Sequence, residues 1–378
     1  MMTVAIWAAA SLVVLATIFH LAGMAVAVMR CRLPCAPLVA PADGPAVSLV
    51  IPVCGLDNYG EATLRSAFLL NYPRFELIFC AARADEPVAP LVRRLIAEYP
   101  GIDARLLIGD DHQSANPKLN NVVKGWRAAA NDWIAIADSN ILMRRDYIQR
   151  LFAAWHSDTG LVCSPPIGCL PDGFWAELEC AFLNGYQARW QYLADGLGFG
   201  FAQGKTLFWR RSDLERAGGI HALGTEVAED AASTKIVRAA GLRVRLVNPP
   251  AYQPLGARSA REVWKRQLRW ARLRRATFPL YFAPELLAGA MAPIAAFIFV
   301  ASQTDVATLP ATVLFATLWY GAEYALTFTV GWPVSRYFFV CALSRDFLLP
   351  VLWLDAWRSN QFEWRGTTMH VFDDAGAS

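Results

Sequence analysis

Short apolar runs that end in polar turns recur along the first half of the chain. Each run has the length of a buried strand, and segments with helical spacing of apolar residues separate the runs. Strands that alternate with helices of ten or more residues predict an α/β fold with a mostly parallel sheet and helices on both faces. The strands are expected at residues 47–53, 75–80, 104–108 and 133–137, and the helices at about 60–70, 87–98 and 118–130.

The pattern is less regular after residue 160, where we expect strands and helices of uneven spacing. A glycine-rich loop is expected at 196–204, and Gly241 is expected to end a helix that begins near residue 228. We place residues 45–257 in one domain, whose first part, 45–160, has the pattern of a nucleotide-binding half. Its later elements are strands at 161–163 and 243–247, an aromatic-rich helix at 174–192 and a helix at 228–240.

A long apolar segment, residues 4–28, lies at the beginning of the chain. As a helix it would extend about 37 Å, enough to cross a bilayer core of about 30 Å. Residues 25–27 resemble a signal-peptidase site, so a cleaved signal peptide is the competing interpretation. No Lys or Arg precedes the segment, whereas Arg30 and Arg32 follow it. We therefore predict a retained anchor, residues 1–32, with the following domain in the cytosol.

Three further apolar segments follow residue 282. The last of them carries Arg345-Asp346 at its middle, and a charge pair at membrane depth is costly unless it faces protein or water. We expect two membrane spans and a third segment that is re-entrant or packs against the folded domain. The expected segments are 283–302, 306–330 and 337–357, which together form a membrane region 283–357, and residues 358–378 form the tail.

The overall composition agrees with a multi-pass membrane protein, in the inner membrane if the source is bacterial. Of the 378 residues, 55% are hydrophobic and 18% are charged, and the mean hydropathy is +0.29. The net charge of +3 gives no support for nucleic-acid binding. The eight cysteines form no Cys-x-x-Cys pair, which argues against zinc, and scattered thiols fit a reducing cytosol.

The tripeptide Asp138-Ser139-Asn140 directly follows the strand expected at 133–137. In open α/β sheets the ligand crevice lies beyond the carboxyl ends of the strands. A carboxylate there, with an amide oxygen two residues later, suits a hard divalent cation that carries a diphosphate. The alternative is that Asp138 only caps the following helix or bonds its own turn.

Two other polar positions are expected near the same crevice. Asp85 follows the strand 75–80 and could bond a ribose or a base, although an exposed loop acid would have the same sequence pattern. Pro117 marks a helix start, and Lys118 would place a cation there for a phosphate or nucleotide. The helix start explains the proline but gives no reason for the lysine.

Glu229-Asp230 opens the helix expected at 228–240. The helix dipole favours acids in a first turn, which is a purely structural reason for both residues. A base that deprotonates an acceptor hydroxyl would also be a carboxylate at a helix start that faces a cleft. The sequence alone leaves both interpretations open.

A strongly basic segment, residues 258–275, carries eight Arg and Lys residues against one acid, Glu262. Helical spacing places many of the basic residues on one face and apolar residues on the other, which predicts an interfacial amphipathic helix within 258–280. Its arginines would bind anionic lipid. Alternatively, Arg266 or Arg269 would turn inward to neutralise a leaving diphosphate.

Taken together, these residues resemble the membrane-anchored GT-A glycosyltransferases of family 21, the ceramide glucosyltransferases. The similarity covers nearly the whole chain, including the anchor and the apolar carboxyl-terminal region. Each motif is short, but six of them occur in the order and with the approximate spacing of the family. They are Ala84-Asp85-Glu86-Pro87, Asn116-Pro117-Lys118-Leu119-Asn120-Asn121, Asp138-Ser139-Asn140, Gly204-Lys205-Thr206-Leu207-Phe208, Glu229-Asp230 and Arg266-Gln267-Leu268-Arg269-Trp270, and Trp364-Arg365-Gly366 also matches.

The resemblance implies an inverting transfer of glucose, or a related hexose, from a UDP-sugar to the primary hydroxyl of ceramide, giving a β-glucoside. Asp230 would be the general base. Asp138, with Asn140 as a weaker ligand, would hold Mg²⁺ or Mn²⁺ on the UDP phosphates. The implied donor contacts are Asp85, Lys118, Asp138, Arg266, Arg269 and Trp270, and Glu229, Gly204 and Lys205 take supporting or acceptor-side positions.

Two positions depart from related sequence patterns. The common metal motif of GT-A enzymes ends in a second Asp, and the neutral Asn140 in its place weakens the site for a divalent ion. The closing motif begins with Arg266, where processive polysaccharide synthases usually have Gln, which argues against a polymer-extruding synthase. Two alternatives remain: transfer of N-acetylglucosamine to a hopanoid lipid, and a non-catalytic membrane scaffold that binds nucleotide sugar.

Overall fold

The computed structural model describes residues 2–32, 36–364 and 367–371. Helices and strands alternate through the first half of the chain, as the apolar pattern predicts. In chain order these elements are α1 (Met2–Cys31), β1 (Val47–Val53), α2 (Gly60–Phe68), β2 (Phe75–Ala81), α3 (Ala89–Glu98), β3 (Asp103–Ile108), α4 (Pro117–Ala128), β4 (Trp133–Ala137), α5 (Tyr147–Ala153), β5 (Thr159–Cys163) and β6 (Pro166–Asp172).

Helices predominate after residue 173. The elements are α6 (Phe174–Cys180), a π-helix (Ala181–Ala188), α7 (Arg189–Gly196), β7 (Thr206–Arg210), α8 (Arg211–Arg216), a 3₁₀-helix (Ile220–Thr225), α9 (Glu229–Ala239), β8 (Arg243–Leu246), β9 (Ala251–Ala257), α10 (Ala260–Thr277), α11 (Pro279–Phe282), a 3₁₀-helix (Ala283–Leu287), α12 (Met291–Ser302), α13 (Thr308–Val330), α14 (Phe338–Ala356), β10 (Gln361–Trp364) and β11 (Thr367–His370). The Trp364-Arg365-Gly366 motif falls partly outside the described residues.

The central sheet has seven strands in the order β3-β2-β1-β4-β7-β5-β8. β1 pairs in parallel with β2 and β4, β2 with β3, and β5 with β8. β7 is antiparallel to both of its neighbours, β4 and β5. The predicted α/β fold with a mostly parallel sheet is therefore confirmed, and β7 is the strand that departs from the parallel arrangement.

The chain forms two compact units. Of the described residues, 36–170 and 194–256 form the sheet unit, and 2–32, 171–193, 257–364 and 367–371 form the helical unit. Most of residues 45–257 lie in the sheet unit, and residues 171–193 group with the apolar helices. The predicted domain boundaries stay a prediction.

Within the sheet unit, α4 lies directly on the first two strands. A Cβ at Gly125 of α4 would be 2.5 Å from Cys80 Sγ of β2 and 2.5 Å from Val50 Cγ1 of β1. No real side chain fits at such distances, so glycine allows the helix to approach the sheet closely. This contact fixes α4, and with it Lys118 in the first turn of the helix.

The helical unit contains the candidate membrane helices. Among the helices that the structure describes, only α1 is by itself long and apolar enough to cross a membrane. The segment expected at 283–302 is bent by 46° between residues 279–287 and α12, and these two pieces together would supply a second span. At this break Asp346 accepts a hydrogen bond from the Ala290 N–H at 3.1 Å. In a continuous helix this N–H would bond a backbone carbonyl one turn earlier.

The aromatic helix expected at 174–192 is present but irregular, because its middle is π-helical. The charge pair Arg345-Asp346 of α14 lies beside it. Arg345 makes two hydrogen bonds of 3.0 Å to Glu323 of α13, one of 2.8 Å to Asp346 and one of 3.3 Å to the Ala181 carbonyl of the π-helix. The side chains of Arg345, Glu323 and Asp346 are each at most 1% exposed. The segment expected at 337–357 is therefore a helix whose charges face other helices of its own unit.

Replacing Arg345 by Met is expected to destabilise the helical unit by about 3–5 kcal/mol, because Asp346 then remains buried without its cation and Glu323 exchanges two bonds of 3.0 Å for Arg189 at 3.8 Å. The measurement is the unfolding temperature of the purified protein in detergent micelles. Arg358→Met is the control, since Arg358 is 76% exposed and 4.0 Å from Asp355, and an exposed pair contributes about 0–1 kcal/mol. Equal shifts for the two variants would contradict the prediction.

Candidate active site

Asp138 is positioned by the strand order of the sheet. β4 lies between β1 and β7, and its last ladder pair joins Ala137 to Thr206 of β7. One residue further on, the Asp138 N–H donates to the Lys205 carbonyl oxygen at 3.0 Å. Asp138 therefore follows the carboxyl end of β4 opposite Lys205, at the edge where α/β sheets bind their ligands.

The Lys205 side chain contacts both residues that the sequence proposed as metal ligands. Its Nζ donates to Asp138 Oδ2 at 2.9 Å and to Asn140 Oδ1 at 3.0 Å. The Lys205 side chain is 13% exposed, so water screens these contacts only partly. Asp138, Asn140 and Lys205 therefore form one connected group.

Lys118 joins this group from the other side of the carboxylate. Its Nζ lies 2.7 Å from Asp138 Oδ1, 2.7 Å from Glu229 Oε1 and 2.6 Å from the Gly204 carbonyl oxygen. Burial lowers the pKa of a lysine, but Asp138 and Glu229 outweigh burial and hold the pKa of Lys118 above its usual range. Burial likewise opposes ionisation of Asp138, and Lys118 and Lys205 nevertheless hold its pKa far below the usual range.

Asn116 connects the start of α4 with the start of α9. Its side-chain oxygen accepts hydrogen bonds from the N–H groups of Lys118 and Leu119, which caps α4. Its Nδ2 donates to Glu229 Oε2 at 2.7 Å. Because Glu229 is buried at the first position of α9, this bond also fixes the position of Asp230 beside it.

Gly204 brings the lysine and the acids together by close approach. A Cβ at this position would lie 2.9 Å from Glu229 Oε1, 3.1 Å from Lys118 Nζ and 3.6 Å from Asp230 Oδ2. Its carbonyl oxygen accepts from Lys118, and its N–H donates to Asp230 Oδ2 at 2.9 Å. A larger residue would push these groups apart, which explains why glycine stands here.

Asp230 is a partly exposed carboxylate of this cluster. Its Oδ2 accepts from the Gly204 N–H at 2.9 Å, and its Oδ1 accepts from the Ala231 N–H at 2.8 Å. Burial and then the charge of Glu229 raise the pKa of Asp230 to about 7, against the opposing effects of Lys118 and the two N–H groups. A general base that works near neutral pH needs a pKa in this range.

The arrangement does not fit the expected divalent cation. Both Asp138 oxygens accept from lysines, and the Asn140 oxygen shares the Lys205 ammonium. In the part of the chain that the structure describes, no group of three or more His, Cys, Asp or Glu side chains is placed to hold a metal ion. Mg²⁺ needs about six oxygen ligands in near-octahedral geometry, which is more than Asp138 and Asn140 supply. Binding of Mg²⁺ or Mn²⁺ at these two residues therefore stays a prediction.

Asp85 lies in a loop beyond β2. Its side chain is 79% exposed and pairs with Arg83 at 3.2 Å. The neighbouring Glu86 is buried and accepts from the Gly55 N–H at 3.3 Å, which ties the loop after β2 to the loop after β1. The donor contact of Asp85 stays a prediction, and Glu86 is a structural acid that the sequence-based candidates did not include.

The basic helix α10 lies in the helical unit and begins at a capping box of Ser259 and Glu262. On its apolar side, Leu268 and Ala271 are buried in a cluster with residues of α6 and α14. Leu268 and Ala271 of α10 thus pack against protein. The interfacial position of the helix stays a prediction.

Arg266, Arg269 and Trp270 all lie on α10, and the structure shows a specific partner for the first of them. Arg266 donates to Glu179 of α6, a fully buried carboxylate whose second cationic neighbour is Arg258 at 3.5 Å. The sequence-based candidates did not include Glu179. An acid within an aromatic, apolar helix is nevertheless a pattern that indicates a buried carboxylate with a cationic partner. The donor contacts of Arg266, Arg269 and Trp270 stay predictions.

Comparison with known proteins places this architecture in a family. The chain matches the family model of Glycosyl transferase family 21 over residues 12–377. It is similar to ceramide glucosyltransferase 3 of Caenorhabditis elegans, with 25% identity over 86% of this chain and 73% of the relative. Ceramide glucosyltransferase 1 of the same organism is 30% identical over 62% of this chain and 51% of the relative.

Among solved structures, the chain is similar to a mannosyltransferase from Pyrobaculum calidifontis in complex with GDP-Man and Mn²⁺. It has a TM-score of 0.49 and 17% sequence identity, and the alignment covers 89% of this chain and 98% of the mannosyltransferase chain. The family match itself extends over nearly the whole sequence. The chain therefore belongs to glycosyl transferase family 21 and is a glycosyltransferase.

Proposed function

We propose that this glycosyltransferase moves glucose from UDP-glucose to the primary hydroxyl of ceramide, with inversion, and so makes β-glucosylceramide. The observation that carries the proposal is Asp230, a partly exposed carboxylate at a helix start whose pKa is raised to about 7. The names of the similar curated proteins support the acceptor and the sugar. The apolar helix α1 supports a place at the membrane, where a lipid acceptor is found.

In the proposed reaction, Asp230 accepts the proton of the ceramide hydroxyl as its oxygen attacks the anomeric carbon of the sugar. The bond between that carbon and the UDP oxygen breaks, and UDP leaves with the electron pair. Attack from the opposite side of the leaving group inverts the anomeric configuration. The ammonium groups of Lys118 and Lys205 supply positive charge near the predicted diphosphate position, which favours the departure of UDP.

The direct test is transfer by the purified full-length chain in lipid nanodiscs. UDP-glucose and ceramide are expected to give glucosylceramide and an equal amount of UDP, both identified by mass spectrometry. Formation of neither product in the presence of Mg²⁺ or Mn²⁺ would contradict the proposal. Exchange of the donor for UDP-N-acetylglucosamine and of the acceptor for a hopanoid alcohol separates it from the hopanoid alternative.

The rate of transfer is expected to depend on pH through Asp230. Because the base acts only when ionised and its pKa is about 7, kcat should fall about tenfold per pH unit below pH ~6 and level off above pH ~8. The measurement is a kcat profile between pH 5 and pH 9 at saturating substrates. A profile that is flat across this interval would contradict the role of Asp230.

A further inference from the structure

The Lys205 ammonium occupies the position between the two oxygens that the sequence assigned to a divalent cation. Its Nζ lies 2.9 Å from Asp138 Oδ2 and 3.0 Å from Asn140 Oδ1. This placement does not depend on the side chain alone, because the Asp138 N–H also bonds the Lys205 carbonyl oxygen at 3.0 Å, next to the β4–β7 ladder. The backbone therefore holds Lys205 opposite Asp138.

The charges of the group match an ammonium better than a divalent ion. Asp138 is the carboxylate that Lys205 contacts at 2.9 Å, Asn140 is neutral, and the second Asp138 oxygen already pairs with Lys118 at 2.7 Å. A divalent ion bound to Asp138 and Asn140 would lie close to both ammonium groups and would be repelled by each of them. Lys205 balances the carboxylate and donates to the amide oxygen with a single positive charge, so Lys118 repels it less than it would repel a divalent ion.

We propose that the Lys205 ammonium is the resident cation of the Asp138–Asn140 position, and that Lys205 and a divalent cation exclude each other there. One consequence rests on the proposed function: the Lys205 ammonium supplies positive charge to the diphosphate of the bound UDP-sugar. Lys205 then contacts the UDP-sugar donor directly and takes the place of the metal ion that the Asp138-Ser139-Asn140 motif predicts.

The first test measures Mn²⁺ binding to the full-length protein without nucleotide, by electron paramagnetic resonance of free Mn²⁺. Lys205→Met and Lys205→Gln both remove the ammonium, and Gln keeps a donor for Asp138 or Asn140 if Met impairs folding. Each variant is expected to bind Mn²⁺ about tenfold more tightly than wild type, because the two oxygens become available and one repelling charge is lost. Equal Mn²⁺ affinity in wild type and both neutral variants would overturn the proposal.

Three control variants test whether the gain in Mn²⁺ affinity arises at Asp138 and Asn140. Lys205→Arg keeps the positive charge and should keep the weak Mn²⁺ binding of wild type. Adding Asp138→Asn to Lys205→Gln should abolish the gain, since the carboxylate ligand is lost. Lys235→Met removes a lysine that pairs with Glu226 on the surface of the same unit, and it should leave Mn²⁺ binding unchanged. A gain that survives Asp138→Asn would place the metal elsewhere and overturn the proposal.

The second test measures UDP binding by calorimetry in buffer with EDTA. Wild type is expected to bind UDP there, and Lys205→Gln about tenfold more weakly, because one charge-assisted contact to the diphosphate is lost. UDP affinity that is equal in wild type and Lys205→Gln would contradict the diphosphate role. If no variant binds UDP with or without Mn²⁺, the proposed function fails, whereas the Mn²⁺ comparison still decides whether Lys205 holds the cation position.

Discussion

Asp230→Asn is expected to lower kcat by about 10²–10⁴-fold, the usual contribution of a general base. The amide cannot take the proton of the acceptor hydroxyl, and its one oxygen can accept from either the Gly204 or the Ala231 N–H, which in wild type bond different oxygens of Asp230. UDP affinity should therefore remain within about threefold of wild type, since the donor contacts are not touched. Steady-state transfer and calorimetric UDP binding measure the two quantities.

Glu226→Gln is the matched control, because Glu226 is a nearby acid whose partner is Lys235 on the surface. Its kcat should be close to that of wild type. Glycolipid content in cells that carry Asp230→Asn gives a second readout. Unchanged glycolipid in these cells would reject the catalytic role and favour the non-catalytic scaffold.

The same variant has a distinct effect on stability. In wild type the folded state raises the pKa of Asp230, so the folded protein holds a proton that the unfolded protein releases between pH ~4 and pH ~7. Asp230 therefore contributes a decrease in the free energy of unfolding as pH rises through this interval. Asp230→Asn should remove that decrease, and denaturant unfolding at pH 5 and pH 8 would detect the difference.

Lys118→Met is expected to destabilise the sheet unit by about 3–5 kcal/mol, because it leaves Asp138 and Glu229 without the ammonium between them. The Lys118 side chain is 12% exposed and has contacts of 2.6–2.7 Å with three oxygens. UDP affinity should fall as well, since a positive charge near the predicted diphosphate position is lost. The free energy of unfolding and the UDP dissociation constant are the measurements.

Lys235→Met serves as the control for Lys118→Met, and removal of this surface lysine should cost about 0–1 kcal/mol. Combining Lys118→Met with Glu229→Gln should restore part of the lost stability, because Glu229, which has lost its ammonium partner, becomes neutral, whereas Asp138 keeps Lys205. An unfolding free energy for Lys118→Met that lies within experimental error of the Lys235→Met value would contradict the central role of Lys118.

The sequence predicted much of the sheet and several members of the site. Strand β4 is a continuous apolar run, and β1 and β2 are interrupted only by Ser48 and Glu76, which is the local pattern of strands buried on both faces. Lys118, Asp138, Glu229 and Asp230 were identified because each follows a strand or opens a helix. These features depend on neighbours within a few residues, so they can be recognised along the chain.

Other contacts of the site could not be predicted from local pattern. Lys205 meets Asp138 across the antiparallel β4–β7 pair, although the two residues are 67 positions apart in the sequence. Glu179 meets Arg266 over 87 positions in the helical unit. Neither residue type nor spacing predicts such pairs, because strand order and helix packing determine which distant residues become neighbours.

By itself, therefore, the sequence determined the α/β pattern, the family motifs and the acids and lysines at the ends of the elements. The tertiary structure alone decided how these charges are paired: Lys118 between Asp138 and Glu229, Lys205 on Asp138 and Asn140, and Arg345 between Glu323 and Asp346. The physical reason is that secondary structure follows local apolar spacing, whereas the partner of a buried charge depends on which segments fold against each other.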